Sequence, residues 1–133
     1  MTSTILFLCP HHAAKSVIAA AYFDRLAQQH QLPFAAASAG TEPDEVVSPK
    51  VADMLLTEGI NVVGHQPRRV TQEELLQARR VISMGCTPEE LNIAPDRVEQ
   101  WLDIPMVSQD LYGARDAIRT HVEALVSELA ASS

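Results

Sequence analysis

Three residues near the start of the chain have side chains and a spacing that suit chemistry on an oxyanion. Cys9 supplies a thiol, and the pair Lys15-Ser16 adds a cation and a hydroxyl a few residues later. A thiolate is a strong nucleophile. Lys15 is able to neutralise a bound phosphate, and Ser16 is able to donate a hydrogen bond to the thiolate. This combination indicates a nucleophilic site for a tetrahedral oxyanion, although spacing alone is also compatible with Cys9 as a small buried apolar residue.

A strand and a helix must position this stretch. Residues 4–8 form a short run dominated by apolar side chains, which predicts a strand buried on both faces. The segment Cys9–Ala14 follows, and then a helical pattern begins. The free amides and partial positive charge at a helix start bind anions and favour a thiolate. The apolar face of the helix comprises Val17, Ile18, Ala21, Tyr22 and Leu26.

Strand and helix patterns continue to alternate along the chain. Strands are predicted at 34–38, 81–84 and 98–101, and helix starts at Ser48-Pro49, Thr71 and Thr87. The alternation predicts an α/β fold with a doubly wound, four-stranded parallel sheet and helices on both faces. Ligands bind such sheets at the carboxyl ends of the strands, which is where the first strand delivers Cys9. The last helix has an inner face of Leu111, Ile118, Val122, Leu125 and Leu129.

Composition narrows the function classes. The 133 residues fit a single domain, 1–133, and the 47% apolar content is enough to fill one core. A net charge of −7 argues against non-specific nucleic-acid binding, which needs a basic field. No apolar run approaches the ~20 residues that span a bilayer, and the first residues lack the features of a signal peptide. We therefore expect a cytoplasmic protein that binds neither nucleic acid nor membranes.

Five segments occur in an order and spacing that resemble one known group of proteins. They are Cys9-x5-Lys15-Ser16, Ser38–Thr41, Gly59–Arg69, Val81–Cys86 and Arg97–Trp101. The chain resembles the low-molecular-weight protein tyrosine phosphatases and the related thioredoxin- or thiol-coupled arsenate reductases. In that superfamily a Cys-x5-Arg-Ser/Thr loop follows the first strand. The similarity extends along nearly the whole chain.

The resemblance implies a low-molecular-weight phosphatase-like fold and thiol chemistry at Cys9. By this likeness Cys9 attacks phosphorus or arsenic and forms a cysteinyl intermediate, while Ser16 stabilises the thiolate as it leaves. The implied partner is a phosphate- or arsenate-like oxyanion or a phosphorylated substrate. No cofactor is implied apart from a reducing thiol or a thioredoxin-type electron donor. The implied oxyanion cradle consists of His11, His12, Ala13, Ala14, Lys15 and Ser16.

Two residues of the loop depart from the superfamily pattern. Lys15 replaces an arginine, so a point charge stands where a planar bidentate fork is expected. His12 replaces an asparagine that helps to hold a strained turn. Histidine tolerates such a backbone better than most residues. Both His11 and His12 are able to add donors beside the anion, and the alternative is that they are two partly exposed loop histidines.

The general acid is the largest departure. The superfamily places an Asp-Pro dipeptide after the fourth strand, and the Asp protonates the leaving group. Here Met106-Val107 aligns with that dipeptide. Asp103 is the candidate substitute, with Asp110 as a second, and the alternative for each is a solvated loop carboxylate.

Cys86 suggests a redox reaction. In the reductases that this chain resembles, a cysteine in this region attacks the nucleophilic cysteine after arsenite forms. The pair Cys9 and Cys86 is therefore the candidate redox pair, closing directly or with an external thiol. A core position for Cys86 is the alternative.

Three other interpretations compete with an active enzyme. The loss of the loop arginine and of the Asp-Pro acid is typical of a catalytically impaired oxyanion-binding homologue. A redox-responsive protein would use the two cysteines without ester chemistry. A metal site built from Cys9, His11 and His12 with Cys86 or His65 fits no established zinc spacing, so no metal is expected.

Overall fold

A single parallel sheet forms the centre of the protein. The computed structural model describes residues 2–11, 13–62 and 64–132. Within these residues four strands lie in the order β2-β1-β3-β4, and their pairings are parallel. This confirms the predicted α/β fold. The strands are β1 (Ser3–Leu8), β2 (Phe34–Ala39), β3 (Arg80–Ser83) and β4 (Val98–Gln100).

Helices cover both faces of the sheet. The structure has α1 (Lys15–Gln29), α2 (Pro49–Thr57), α3 (Gln72–Gln77), α4 (Pro88–Leu91) and α5 (Leu111–Ser132). A short 3₁₀ helix, Pro95–Arg97, precedes β4. None of the helices within the described residues has the length and apolarity needed to cross a membrane.

The side chains of β1 alternate between two apolar clusters because successive strand residues point to opposite faces. Ile5 and Phe7 pack into the larger cluster, which α1, α2 and α5 complete. Leu6 and Leu8 pack into a second cluster with Leu75 of α3. These four side chains of β1 are fully buried. The apolar run in the sequence predicted this burial, which is typical of a strand covered on both faces.

The helix starts follow the capping signals in the sequence. Thr71 and Glu74 form a capping box before α3, and Thr87 and Glu90 form another before α4. Each box satisfies two backbone amides that the helix leaves unpaired, which contributes about 1 kcal/mol. Pro49 opens α2. These starts confirm the predictions from sequence.

The fourth strand is one residue shorter than predicted. The strand ends at Gln100, and Trp101 begins an irregular segment that leads to α5. Trp101 is still buried, because its ring packs against Phe7 at a centroid distance of 5.9 Å. The segment after β4 therefore leaves the sheet while remaining anchored to the core.

The carboxyl ends of β2, β1 and β3 meet at one edge of the sheet. Cys9 follows β1 directly, and its amide donates to the carbonyl of Ala39 in β2 at 3.4 Å. On the other side, the Met84 amide donates to the carbonyl of Leu8 at 2.7 Å. Cys9 thus lies at the edge of the sheet between the ends of β2 and β3, the usual ligand position in a parallel sheet.

Candidate functional site around Cys9

The thiol of Cys9 faces the first turn of α1. Its Sγ lies 3.1 Å from Ser16 Oγ, to which it donates in the thiol form, and the Ser16 amide donates to Sγ at 3.4 Å. Ser16 is fully buried and Cys9 is 5% exposed. When the thiol loses its proton, the hydroxyl is able to turn and donate to the sulfur. Two donors from Ser16 are therefore positioned to stabilise negative charge on Cys9.

The start of α1 has no side-chain cap. Ala14 occupies the N-cap position and makes no capping hydrogen bond. Amides of the first turn therefore remain suited to an anion. Lys15 extends from the same turn, and its Nζ donates to the carbonyl of Ile104 at 3.3 Å. His12, which the sequence placed in the oxyanion cradle, lies outside the described residues.

The β2–α2 loop runs alongside the Cys9 loop and is bonded to it. The Glu42 amide donates to the Pro10 carbonyl at 2.7 Å, and the Asp44 amide donates to the His11 carbonyl at 2.9 Å. A third bond runs from the Ser48 amide to the Ala13 carbonyl at 2.8 Å. These backbone bonds fix the two loops side by side, and Asp44 and Ser48 of the β2–α2 loop line the same cavity as Cys9.

His11 contacts this neighbouring loop through its side chain. Its Nδ1 lies 3.0 Å from the Glu42 carbonyl oxygen and 3.4 Å from Asp44 Oδ1. Both neighbours are hydrogen-bond acceptors, so Nδ1 is the nitrogen that carries a proton. The imidazole is held by a carbonyl and a carboxylate together.

A large cavity opens over Cys9. Its volume is about 810 Å³, within the range of sites that hold a drug-sized ligand. Apolar and small side chains form much of the wall, and two cations and one carboxylate lie among them. The cavity is lined by Cys9, Pro10, His11, Ala13, Ala14, Lys15, Asp44, Ser48, Pro49, Lys50, Met84, Gly85, Met106, Val107 and Ser108.

Gly85 allows β3 to approach the Cys9 loop closely. Its φ is +119°, a conformation that L side chains rarely adopt. A Cβ at this position would lie 3.3 Å from Pro10 Cδ. Glycine therefore serves both the backbone turn after β3 and the close packing beneath Pro10.

Asp103 is held away from this chemistry by a histidine. Its Oδ1 lies 2.7 Å from His121 Nε2, and the His121 ring stacks on Trp101. The hydrogen bond from His121 lowers the pKa of the Asp103 carboxyl, whereas a general acid at neutral pH needs a raised one. Asp103 is also not among the described residues that line the cavity. Asp110 accepts a hydrogen bond from the Gly113 amide at 2.9 Å, at the start of α5.

Cys86 packs in a different apolar cluster from Cys9. Cys9 belongs to the cluster of Ile5 and Phe7, whereas Cys86 belongs to the cluster of Leu6 and Leu8. Cys86 is fully buried, and burial raises the pKa of its thiol. A buried thiol with a raised pKa is a poor attacking group. The charge of Cys9 also raises the pKa of Cys86, so the two cysteines lie near enough to interact, and their role as a redox pair stays a prediction.

A family model that matches most of the sequence identifies the family. The sequence model of the family described as low molecular weight phosphotyrosine protein phosphatase matches residues 4–99. The chain belongs to this family. Membership confirms the resemblance found in the sequence and the general class of thiol-based phosphatase or arsenate reductase.

Individual proteins similar to the chain include two that are named as arsenate reductases. A protein of Halobacterium salinarum named "Putative arsenate reductase" is 29% identical over 131 residues, covering 96% of this chain and 91% of that protein. The crystal structure of YfkJ from Bacillus subtilis shares the fold with a TM-score of 0.87 at 21% identity, over 100% of this chain and 98% of that chain. The thioredoxin-dependent arsenate reductase of Corynebacterium glutamicum has a TM-score of 0.83 at 23% identity, over 99% of this chain and 64% of that chain.

Several residues of the cavity come from segments in which the sequence shows no chemical motif. Asp44 and Lys50 come from the loop after β2 and the start of α2, and Met84 and Gly85 follow β3. The Ser38–Thr41 segment was the sequence feature that pointed to these residues, because it marks the end of a second strand at the same edge of the sheet as Cys9. Within the described residues, no group of three or more His, Cys, Asp and Glu side chains is arranged to hold a metal ion.

Proposed function

We propose that the protein is a thiol-dependent phosphomonoester hydrolase in which Cys9 is the nucleophile. The observation that carries the proposal is that the Ser16 hydroxyl and the Ser16 amide both lie within hydrogen-bond distance of Cys9 Sγ at the base of the cavity, where both are able to donate to a thiolate. A thiolate stabilised in this way attacks phosphorus, and the later departure of the same sulfur is assisted by the same donors.

The reaction has two displacements. In the first, the Cys9 sulfur bonds to phosphorus while the bond to the ester oxygen breaks and the alcohol leaves. In the second, water attacks phosphorus, the phosphorus–sulfur bond breaks, and its electron pair returns to Cys9. The amides of the α1 start and the Lys15 ammonium interact with the phosphoryl oxygens in both steps. The product is inorganic phosphate.

The cavity favours a substrate with an organic body. Its volume of about 810 Å³ is much larger than a bare oxyanion requires. Met106, Val107 and Pro49 form apolar wall beside the polar base around Cys9. A phosphate ester with an apolar or aromatic group fits this division, with phosphate at the base and the organic group against the wall.

Arsenate reduction is the second candidate, favoured by the name of the Halobacterium salinarum relative. In that reaction arsenate bonds to the Cys9 sulfur and loses water. An external thiol then attacks the sulfur, so that arsenic gains two electrons and leaves as arsenite while a mixed disulfide forms. We propose a small thiol or a thioredoxin-type protein as the donor, because the buried Cys86 is a poor attacking group. Either reaction needs a free Cys9 thiol, which supports a reducing cytoplasmic location.

One set of assays tests the proposal. Purified protein is incubated with 4-nitrophenyl phosphate, and separately with arsenate and either glutathione or reduced thioredoxin. We expect phosphate release that is abolished in Cys9→Ser and retained in Cys86→Ala. Arsenite formation without phosphate release would favour the second candidate. If neither product forms in a Cys9-dependent manner, the hydrolase proposal is wrong and an oxyanion-binding role is the better interpretation.

A further inference from the structure

A hydrolase at Cys9 needs a proton donor for the leaving alcohol, and the position expected for it is apolar. Met106 and Val107 line the cavity where the superfamily carries Asp-Pro. Asp103 is paired with His121 and is absent from the described cavity lining. The donor must therefore be sought among the other titratable residues at the cavity.

The described cavity lining contains five titratable side chains. They are Cys9, His11, Lys15, Asp44 and Lys50. Cys9 is the nucleophile, and lysine ammonium groups are ordinarily too weakly acidic to act as donors near neutral pH. Histidine is the side chain whose ordinary titration range matches that task. This leaves His11 and the carboxylate next to it, Asp44.

One ring nitrogen of His11 is held by hydrogen-bond acceptors, as in histidines that transfer protons through the other nitrogen. Nδ1 donates toward the Glu42 carbonyl at 3.0 Å and lies 3.4 Å from Asp44 Oδ1. These acceptors fix the proton on Nδ1 and orient the ring, so Nε2 is the nitrogen of this cavity-lining side chain that is left available for proton exchange. A nearby carboxylate also stabilises the imidazolium that forms during the cycle.

The backbone holds this pair in place. The bonds from the Asp44 amide to the His11 carbonyl and from the Glu42 amide to the Pro10 carbonyl are 2.9 and 2.7 Å long. The pair is therefore attached to the same loop as the nucleophile. Its side chains are 61% and 54% exposed, so water is able to exchange protons with the imidazole between turnovers.

We propose that His11, oriented by Asp44, is the general acid and base of the Cys9 reaction, an inference that rests on the proposed hydrolase function. In the first displacement the phosphorus–oxygen ester bond breaks, its electron pair goes to the leaving oxygen, and His11 Nε2 donates its proton there. In the second, neutral Nε2 accepts a proton from the attacking water. The water oxygen bonds to phosphorus, and the electron pair of the phosphorus–sulfur bond returns to Cys9. His11 is again protonated and the cycle is complete.

The test compares two leaving groups of different basicity. The phenolate of 4-nitrophenyl phosphate leaves without a proton, whereas the more basic phenolate of phenyl phosphate depends on one. We expect His11→Gln to lower kcat on phenyl phosphate by about a hundredfold and on 4-nitrophenyl phosphate by less than about fivefold. Asp44→Asn, which alters the positioning group, is expected to cause about a tenfold loss on phenyl phosphate only.

Matched variants separate a catalytic role from a structural one. Glu45→Gln changes an exposed carboxylate on the same loop and His30→Gln an exposed histidine after α1, and both are expected to retain wild-type rates on both substrates. Equal losses of kcat on both substrates in His11→Gln, or no loss on either, would overturn the role of His11. The hydrolase function would still stand in that case, provided that the wild-type protein turns over both substrates. A wild-type protein with no Cys9-dependent turnover would overturn the function and the inference together.

Discussion

Lys15 Nζ donates a hydrogen bond to the carbonyl oxygen of Ile104, 3.3 Å away. The bond joins the first residue of α1 to the segment between β4 and α5. The cation that stands in the family's arginine position is thus attached to the side of the cavity that carries Met106 and Val107. We expect a phosphoryl group at the cavity base to compete with the Ile104 carbonyl for this ammonium.

The first prediction concerns the nature of this cation. Lys15→Arg is expected to raise kcat/KM on 4-nitrophenyl phosphate by about fivefold, because a guanidinium offers two fixed donors to a pair of phosphoryl oxygens. Lys15→Met is expected to lower it by about 10- to 100-fold, the loss associated with a charged hydrogen bond. Steady-state kinetics measure both. An unchanged rate in Lys15→Met would show that this side chain does not contact the phosphoryl group.

The second prediction concerns Asp103. Because its carboxylate is paired with His121 and its pKa is lowered, it is a poor proton donor. Asp103→Asn is therefore expected to keep kcat on phenyl phosphate within about twofold of wild type. Asp110→Asn is the control on the same segment. A large, selective loss on phenyl phosphate in Asp103→Asn would restore Asp103 as the general acid.

The location of the site was accessible from sequence because it depends on local patterns. A run dominated by apolar residues predicts a strand buried on both faces, and the strand direction delivers Cys9 to the carboxyl edge. The proximity of Cys9 and Ser16 has the same local origin, because the chain passes through a short loop from the end of β1 to the start of α1. These are short-range consequences of hydrophobic periodicity and of a helix start.

The neighbours of that site were not accessible from sequence, because they depend on irregular backbone. The pairing of His11 with Asp44 depends on the path of the 41–48 loop, which has no periodic pattern. Cys86 is another example. Regular alternation would place it on the face of Ile82 and Met84, but the turn at Gly85 redirects it to the opposite cluster.

The third prediction concerns the reactivity of the two cysteines. Iodoacetamide is expected to label Cys9 at least about tenfold faster than Cys86 in the native protein at neutral pH. Cys9 lines the cavity, whereas burial raises the pKa of the Cys86 thiol. Peptide mass spectrometry over time measures both rates. Inorganic phosphate in excess is expected to slow the labelling of Cys9 alone, and equal labelling of both thiols would contradict the difference.

The fourth prediction concerns the glycine beneath the Cys9 loop. Gly85→Ala is expected to destabilise the protein by about 1 to 3 kcal/mol through its positive φ. It is also expected to lower turnover, because the new Cβ would lie 3.3 Å from Pro10 Cδ. Gly64→Ala is the matched control, since Gly64 has a φ of +88° and no atom within 4 Å of an added Cβ. Denaturant unfolding and kcat/KM separate the two effects: a loss of turnover in Gly64→Ala equal to that in Gly85→Ala would show that the Pro10 contact is unimportant.

The fifth prediction concerns stability at alkaline pH. Tyr22 donates to Glu58 Oε1 at 2.8 Å, and burial, followed by that bond, raises the pKa of Tyr22 to about 12. The unfolded chain loses this proton near its ordinary pKa of about 10, so the folded state binds more protons between these values. The contribution of Tyr22 to the free energy of unfolding is therefore fully present below pH ~10. The free energy of unfolding is expected to fall by up to about 2 kcal/mol as pH rises to ~12. Denaturant unfolding at several pH values should show this loss in wild type and in Tyr112→Phe, a change at an exposed tyrosine, but not in Tyr22→Phe; parallel curves for all three proteins would contradict the assignment to Tyr22.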